Sequence, residues 1–301
     1  MVRKPQKTSK AAKSGGKKRQ QERKKAKKIP KHVEIPTITR LNMDSSFLLT
    51  IGKAQLLLDP WLCGPEIDGF ELFNKAMHAA PCMDIRDLQD ARKDIIVSLP
   101  FSDHCHEDTL DSLRLCNKIY ATKDACKRIR KDPRLQDRQL VEIGHTHTAI
   151  NNHSCCVRAI PSSGLLDFTH GGLVIEDAHH RIVYAPHGLH LAGATLTFLI
   201  EMMAGRPKDT TLMVTCSAYH VPFYLGGTVN LGLEAALALS RIVQPRRVID
   251  IHSEQKTTPG LIPFLASTSY PTMSEIEAAF RAHLPDVQVV FLCDLKRCML
   301  C

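Results

Sequence analysis

Between Phe101 and Leu110 the chain reads FSDHCHEDTL, which puts Asp103, His104, His106, Glu107 and Asp108 within six residues. Carboxylates and neutral imidazoles are the donors that Zn²⁺, Mn²⁺ or Fe accept. The stretch follows the apolar run DIIVSLP, so Asp103 and His104 fall just past a predicted strand. His187 in RIVYAPHGLH and His252 in RRVIDIHSEQ occupy the same kind of position after two other predicted strands. Strand ends in a layered α/β arrangement are where loops meet ligands. One loop histidine is ordinary; three past separate strands, one beside an aspartate, make a candidate metal centre.

Other residues carry two readings each. His106 lies two residues from His104 and is either a further ligand or a residue of a helical first turn. His220 in SAYHVPFYLGG follows a strand and reads as lining the pocket rather than as binding metal. The glycines of YLGGTVNLG can present backbone N–H groups to an anion, or simply form the entry to a helix. Cys298 and Cys301 have the outline of a prenylation box and of C-x-x-C, which alone is half a zinc site.

The elements that must position these residues follow from hydrophobic periodicity. ITRLN, SSFLLTIG and AQLLLDPWL read as consecutive strands separated by turn signals. DIIVSLP is a continuous apolar run of the kind buried on both faces. A helix is expected from His106 to Cys116, then a strand and helix in KIYATKDACKRIRKD. QLVEIG, HTAI and CCVRAIP predict a β-meander, and GLVIEDAHHRIVYAP a hairpin with Asp177 to His180 at its turn. The final third alternates: helix Leu191 to Met203, strand TLMVTCSAY, helix Leu231 to Ile242, strand RRVIDIH, helix Ser274 to His283, strand VQVVFLC. Successive strands followed by strand–helix alternation predict one layered α/β or α+β domain over residues 33–301.

The net charge of +9 is unevenly spread. Residues 1–32 hold 14 Lys or Arg and a single acid, Glu22, so the remainder is mildly acidic at −4. A segment this charged and this poor in apolar residues is expected to be a disordered basic tail. It reads as a nuclear or nucleolar address, a nonspecific nucleic-acid arm acting by counterion release, or a solubilising tail. Eleven scattered cysteines and a charged N-terminus predict a reducing, intracellular setting, nuclear or cytoplasmic. The longest apolar stretch, LAGATLTFLI, is about half of what a bilayer requires.

The order TRLNMDSSFLLTIGKAQLLLDPWL, a strand followed by DH, then YAPHG, then VIDIH resembles the metallo-β-lactamase superfamily across residues 35–295. It is most similar to the branch with ascorbate-6-phosphate lactonase-like proteins and plant and algal relatives. That resemblance implies an α+β fold, the four-layer αβ/βα sandwich, and a metal loop of the form H-x-H-x-D-H. Against that loop, Leu99 and Phe101 stand where two histidines of the first metal belong, and Gly164 where its third ligand belongs. His187 stands at the position of the bridging aspartate. The implied site is therefore one divalent ion, zinc first and Mn or Fe as alternatives, held by Asp103, His104, His187 and His252. Asp59 in LLLDPWL matches a position that either orients a ligand histidine or forms a turn before Pro60. GHTH at Gly144 to His147 resembles a ligand-bearing piece of other branches, but its place before a strand favours a hairpin turn.

Two functions follow as expectations. One is a single-ion hydrolase of esters, lactones or phosphodiesters, with Asp103 and His187 catalytic and His187 acting either as ligand or as acid/base. The other is a non-catalytic binding protein of the same fold, delivered to nucleic acid by residues 1–32. Redox chemistry on one iron is a weaker third.

Overall fold

ITR, FLLTI and AQLLL form β1 (Thr37–Arg40), β2 (Phe47–Ile51) and β3 (Ala54–Leu58), an antiparallel meander in the computed structural model. Residues 36–299 are described, apart from 73, 151–154, 165–166, 168, 206–207, 223–226, 260 and 293–296. The basic segment 1–32 and Cys301 lie outside the described residues. In β2 the side chains of Phe47, Leu49 and Ile51 are buried while those between are half-buried, the period of a strand with one core face.

A short hairpin follows, β4 (Glu66–Ile67) and β5 (Lys75–Ala76). Next come β6 (Lys93–Val97), α1 (Glu107–Ser112), β7 (Ile119–Thr122), α2 (Lys123–Ile129) and β8 (Leu140–Ile143). β6 runs parallel to β3 and is buried at every residue, with the apolar Ile95, Ile96 and Val97 following Lys93 and Asp94. The second half holds β9 (Thr148–Ala149), β10 (Cys156–Ile160), β11 (Gly172–Glu176), β12 (His180–Ala185), α3 (Gly193–Ala204) and β13 (Asp209–Val214). Then follow β14 (Ala218–His220), β15 (Thr228–Leu231), α4 (Gly232–Val243) and β16 (Arg247–Asp250). The chain closes with α5 (Ile262–Leu265), β17 (Ser267–Ser269), α6 (Met273–His283), β18 (Gln288–Val290) and β19 (Arg297–Met299).

The strands make two seven-stranded sheets, β19-β1-β2-β3-β6-β7-β8 and β18-β16-β13-β12-β11-β10-β9, with β15-β14-β17 as a small third. Phe47, Leu49 and Leu56 from the first sheet share one apolar cluster with Ile175, Ile182 and Tyr184 from the second, so the large sheets pack face to face. Leu57, Ile95 and Val97 turn the other way, onto Leu110 of α1 and Ala125 and Ile129 of α2. Val174, Val183 and Leu212 turn likewise onto Leu199, Leu237 and Phe280 of α3, α4 and α6. Helices, sheet, sheet, helices: this is the expected α+β, αβ/βα sandwich.

Three expectations are corrected. QLVEIG is not in a meander with HTAI and CCVRAIP; β8 runs parallel to β7 in the first sheet, while β9 and β10 belong to the second. TLMVTCSAY is two strands, because Thr215 Oγ1 accepts from Ser217 N at 3.2 Å and turns the chain between β13 and β14. The helix expected from His106 to Cys116 ends at Ser112, since Leu113 and Cys116 turn into the core under the first sheet.

Candidate metal centre

The loop between β1 and β2 is built around Asn42. Its Oδ1 accepts from Asp44 N and Ser46 N, both at 3.0 Å, and its Nδ2 donates to Ser46 Oγ and to Trp61 O, both at 2.8 Å. This Asx-type scaffold fixes Asp44, which is fully buried. Asp59 closes β3 with φ 43, a left-handed conformation that Asp tolerates better than most residues. Its Oδ1 accepts from Ser98 N at 2.7 Å, and its Oδ2 from Tyr184 Oη and His104 Nδ1, both at 2.8 Å. Asp59 therefore orients a histidine and also occupies a turn.

Past β6, the amides of His104 and Cys105 both donate to Phe101 O, which folds the DHC segment into a tight turn. Past β12 comes His187, whose Nδ1 meets Thr169 O at 3.2 Å. Past β16 comes His252, φ 55, whose Nδ1 lies 2.5 Å from Asp44 Oδ1. Each ring thus places Nδ1 against an acceptor, so Nδ1 carries the proton and Nε2 presents its lone pair. The three Nε2 atoms face one another: His104 to His187 at 3.1 Å and His187 to His252 at 3.0 Å. Asp103 Oδ2 joins them, 3.3 Å from His252 Nε2 and 3.7 Å from His104 Nε2. Three lone pairs and a carboxylate oxygen at these distances repel unless a proton or a metal cation lies between them. Three imidazoles and one carboxylate are also a donor set that tetrahedral zinc takes. The residues fit such an ion, and the sequence-predicted four are all brought together.

Without an ion, the carboxylates around the centre favour a proton on His104, which a bound cation would have to displace. Burial alone lowers the pKa of His104, but Asp103 and Asp59 outweigh it and raise it to about 9. His187 is pushed far down, by burial and then by the neighbouring His252 and His104, so it stays a neutral imidazole. Asp103 is held below the usual carboxylate range despite burial, by His104, Lys256 and His252. Asp44 is held low against burial by His252 and Lys256.

Of the three positions where the resemblance expects first-metal ligands, Gly164 is exposed and the other two hold apolar groups. Leu99 is buried and would touch a Cβ added at Gly171, and the Phe101 ring lies 5.8 Å from that of His187. His106 is not a ligand: its Nδ1 accepts from Thr109 N at 3.2 Å as the N-cap of α1, and its Nε2 lies 3.1 Å from Pro65 O. GHTH is not the expected hairpin turn, since it links β8 of the first sheet to β9 of the second, with His145 on Ala159 O and His147 3.3 Å from Glu176. His220 pairs with Thr228 and does not line the cavity at the centre. Residues 223–226 of the YLGG segment lie outside the described residues, and Cys298 pairs with Ile38 across β19 and β1.

Two further His-containing groups are already committed elsewhere. Glu176, beside His147 and Cys156, is taken by Arg158, Arg181 and Lys208. Asp167, beside His170 and His190, accepts from Ser163 Oγ and bonds His170 Nδ1.

The centre opens onto a cavity of about 660 Å³ lined by Phe101, Asp103, His187, Tyr219, Lys256 and Tyr270 among others. Asp44, Lys256, Glu66 and Thr169 were not singled out from sequence. Asp44 sits within a motif that was, LNMDSS, and its carboxylate was the one available signal. Among the described residues, no helix is long and apolar enough to cross a membrane.

No protein-family profile and no curated protein matches the chain. Solved structures do. A possible metal-dependent hydrolase from Veillonella parvula superposes with TM-score 0.63 at 14% identity, covering 89% of this chain and 100% of that one. Isothiocyanate hydrolase from Delia radicum gut bacteria gives 0.60 at 16%, covering 88% and 98%. A metallo-β-lactamase fold protein from Bacillus subtilis gives 0.56 at 10%, covering 88% and 99%.

Proposed function

We propose that this chain, which has the metallo-β-lactamase fold, is a hydrolase working with one divalent ion held by Asp103, His104, His187 and His252. The observation that carries the reading is the convergence of three Nε2 lone pairs, each fixed by an acceptor on its own Nδ1. When bound, such an ion lowers the pKa of water and polarises a carbonyl or phosphoryl oxygen. The rest falls to the chain. Asp59, Thr169 and Asp44 lock the three rings, and Tyr184 braces Asp59. His187 acts as a ligand rather than as acid/base, because both its nitrogens are engaged and burial keeps it neutral. Asp103 remains ionised and lines the cavity beside the ion site, so it is the carboxylate placed to orient an attacking nucleophile.

Zinc is favoured over iron by the third imidazole, since mononuclear iron sites of the facial type use two histidines and one carboxylate. The cavity suits a small ester, lactone or phosphodiester. Purified full-length protein should carry about one equivalent of zinc, and His104→Ala or His252→Ala should remove it while the circular dichroism stays that of the wild type. Protein that takes up no metal after supplementation refutes the reading.

The apolar filling by Leu99 and Phe101 of positions where ligands would stand favours a second reading, a binding protein of this fold addressed to nucleic acid by residues 1–32. On that reading, deleting residues 1–32 abolishes salt-dependent RNA retention, and no hydrolysis is found across an ester, lactone and phosphodiester panel.

A further inference from the structure

Lys256 places a half-buried ammonium where the centre meets the cavity. Its Nζ is 3.1 Å from Asp44 Oδ2, 3.4 Å from Glu66 Oε2 and 3.4 Å from Asp103 Oδ2. An ammonium has three N–H donors and no acceptor, and here three carboxylates receive them. The same Nζ lies 4.8 Å from the Trp61 ring centroid, a cation–π contact alongside the ion pairs. Nothing about this ammonium is free to swing into solvent.

Asp103 Oδ2 is the shared atom. It lies against the His252 and His104 Nε2 atoms on one side and against Lys256 Nζ on the other. Paired-ion hydrolase sites set two cations about 3.5–4 Å apart, and a carboxylate oxygen between them has this same double role. Glu66 shows how costly a further negative charge is at this spot even with the lysine in place. Burial, with Asp103 and Asp44 adding to it, pushes its carboxyl up to about 8, even though Lys256 pulls the other way.

We infer that Lys256 is a built-in second cation: its ammonium fills a position that Asp44, Glu66 and Asp103 would otherwise offer to a second divalent ion, and so it limits the centre to one. This rests on the reading of Asp103, His104, His187 and His252 as an ion site. The difference from a true second ion is chemical. An ammonium balances the carboxylates and steadies Asp103 but has no open position for water or substrate. The three oxygens it covers are hard donors, suited to Mn²⁺, Mg²⁺ or Ca²⁺ rather than to zinc.

The test deletes the charge and keeps the stem. Lys256→Met retains the aliphatic chain beside Trp61 but lacks the terminal nitrogen. Full-length wild type and variant are equilibrated with Mn²⁺, desalted and assayed for bound metal. Wild type should hold about one equivalent and Lys256→Met about two, with the electron paramagnetic resonance signal changing from an isolated ion to a spin-coupled pair. Lys256→Arg, which keeps a cation, should stay at the wild-type value, and Glu66→Gln added to Lys256→Met should return it there. One equivalent in both wild type and Lys256→Met overturns the role of the lysine alone. No metal in the wild type overturns the reading of the centre, and this inference with it. If Lys256→Met is unfolded as purified, refolding on addition of Mn²⁺ supports the proposal, and failure to refold with Mn²⁺ overturns it.

Discussion

Asp59 Oδ2 and His104 Nδ1 are 2.8 Å apart and both side chains are fully buried, which makes this pair the most enclosed link between the centre and its support. The carboxylate fixes the tautomer of the ring, and through Tyr184 Oη it also ties the first sheet to the second. Asp59→Asn keeps the shape and tolerates the left-handed backbone, but its amide N–H₂ turns one acceptor into a donor. Zinc affinity should fall by about 10–100-fold, the usual effect of removing a ligand's supporting partner. Competition with a chromophoric chelator reads this directly.

His78 should give the fold a pH dependence of its own. Its Nδ1 lies 2.6 Å from Glu254 Oε2 and its Nε2 3.0 Å from Trp61 O, so both nitrogens have acceptors and the imidazolium is favoured. Burial opposes this, but Cys82 and Glu254 prevail and the pKa rises to about 10. Below about 6.5 the folded and unfolded chains are both protonated and the full contribution is present. Between that value and about 10 the folded state holds a proton that the unfolded state has released, so stability declines as pH rises. The melting temperature of His78→Gln should therefore fall less steeply than that of wild type across this window.

Gly172 is required by a close approach. A Cβ there would lie 2.6 Å from Tyr184 O, a backbone atom of the neighbouring strand that cannot swing away. Gly172→Ala should cost about 1–3 kcal/mol in denaturant unfolding. Because the displaced residue is the one whose hydroxyl donates to Asp59, zinc affinity should weaken as well. A drop in stability with unaltered affinity would separate the two effects.

Much of this arrangement is legible in residue order. Apolar runs that end in DH, APH and DIH place three histidines past β6, β12 and β16, because a buried strand must surface where its polar residues begin. α4 and α6 lie within one residue of their predicted bounds at each end, from periodicity, and α6 opens on a Thr272–Glu275 capping box. What was missed depends on tertiary placement. QLVEIG has the pattern of a strand, but nothing in it says whether it pairs with its predecessor or its successor. Lys256 and Glu66 are charged residues on unremarkable stretches, and only the folding of the β4–β5 hairpin and the segment after β16 brings them to Asp44. His106 kept two readings, ligand or first-turn residue, because spacing alone cannot distinguish a capping imidazole from a coordinating one.

The donors come from both halves of the sandwich: Asp103 and His104 follow strands of the first sheet, His187 and His252 strands of the second. A cation gripped by all four would act as a rivet through the stack, drawing its hold from segments 83 residues apart at His104 and His187. Free zinc at a thousand times the dissociation constant should then stabilise the whole sandwich by about 4 kcal/mol. Chelator should lower the melting temperature of the entire chain in one transition, rather than loosening a single loop.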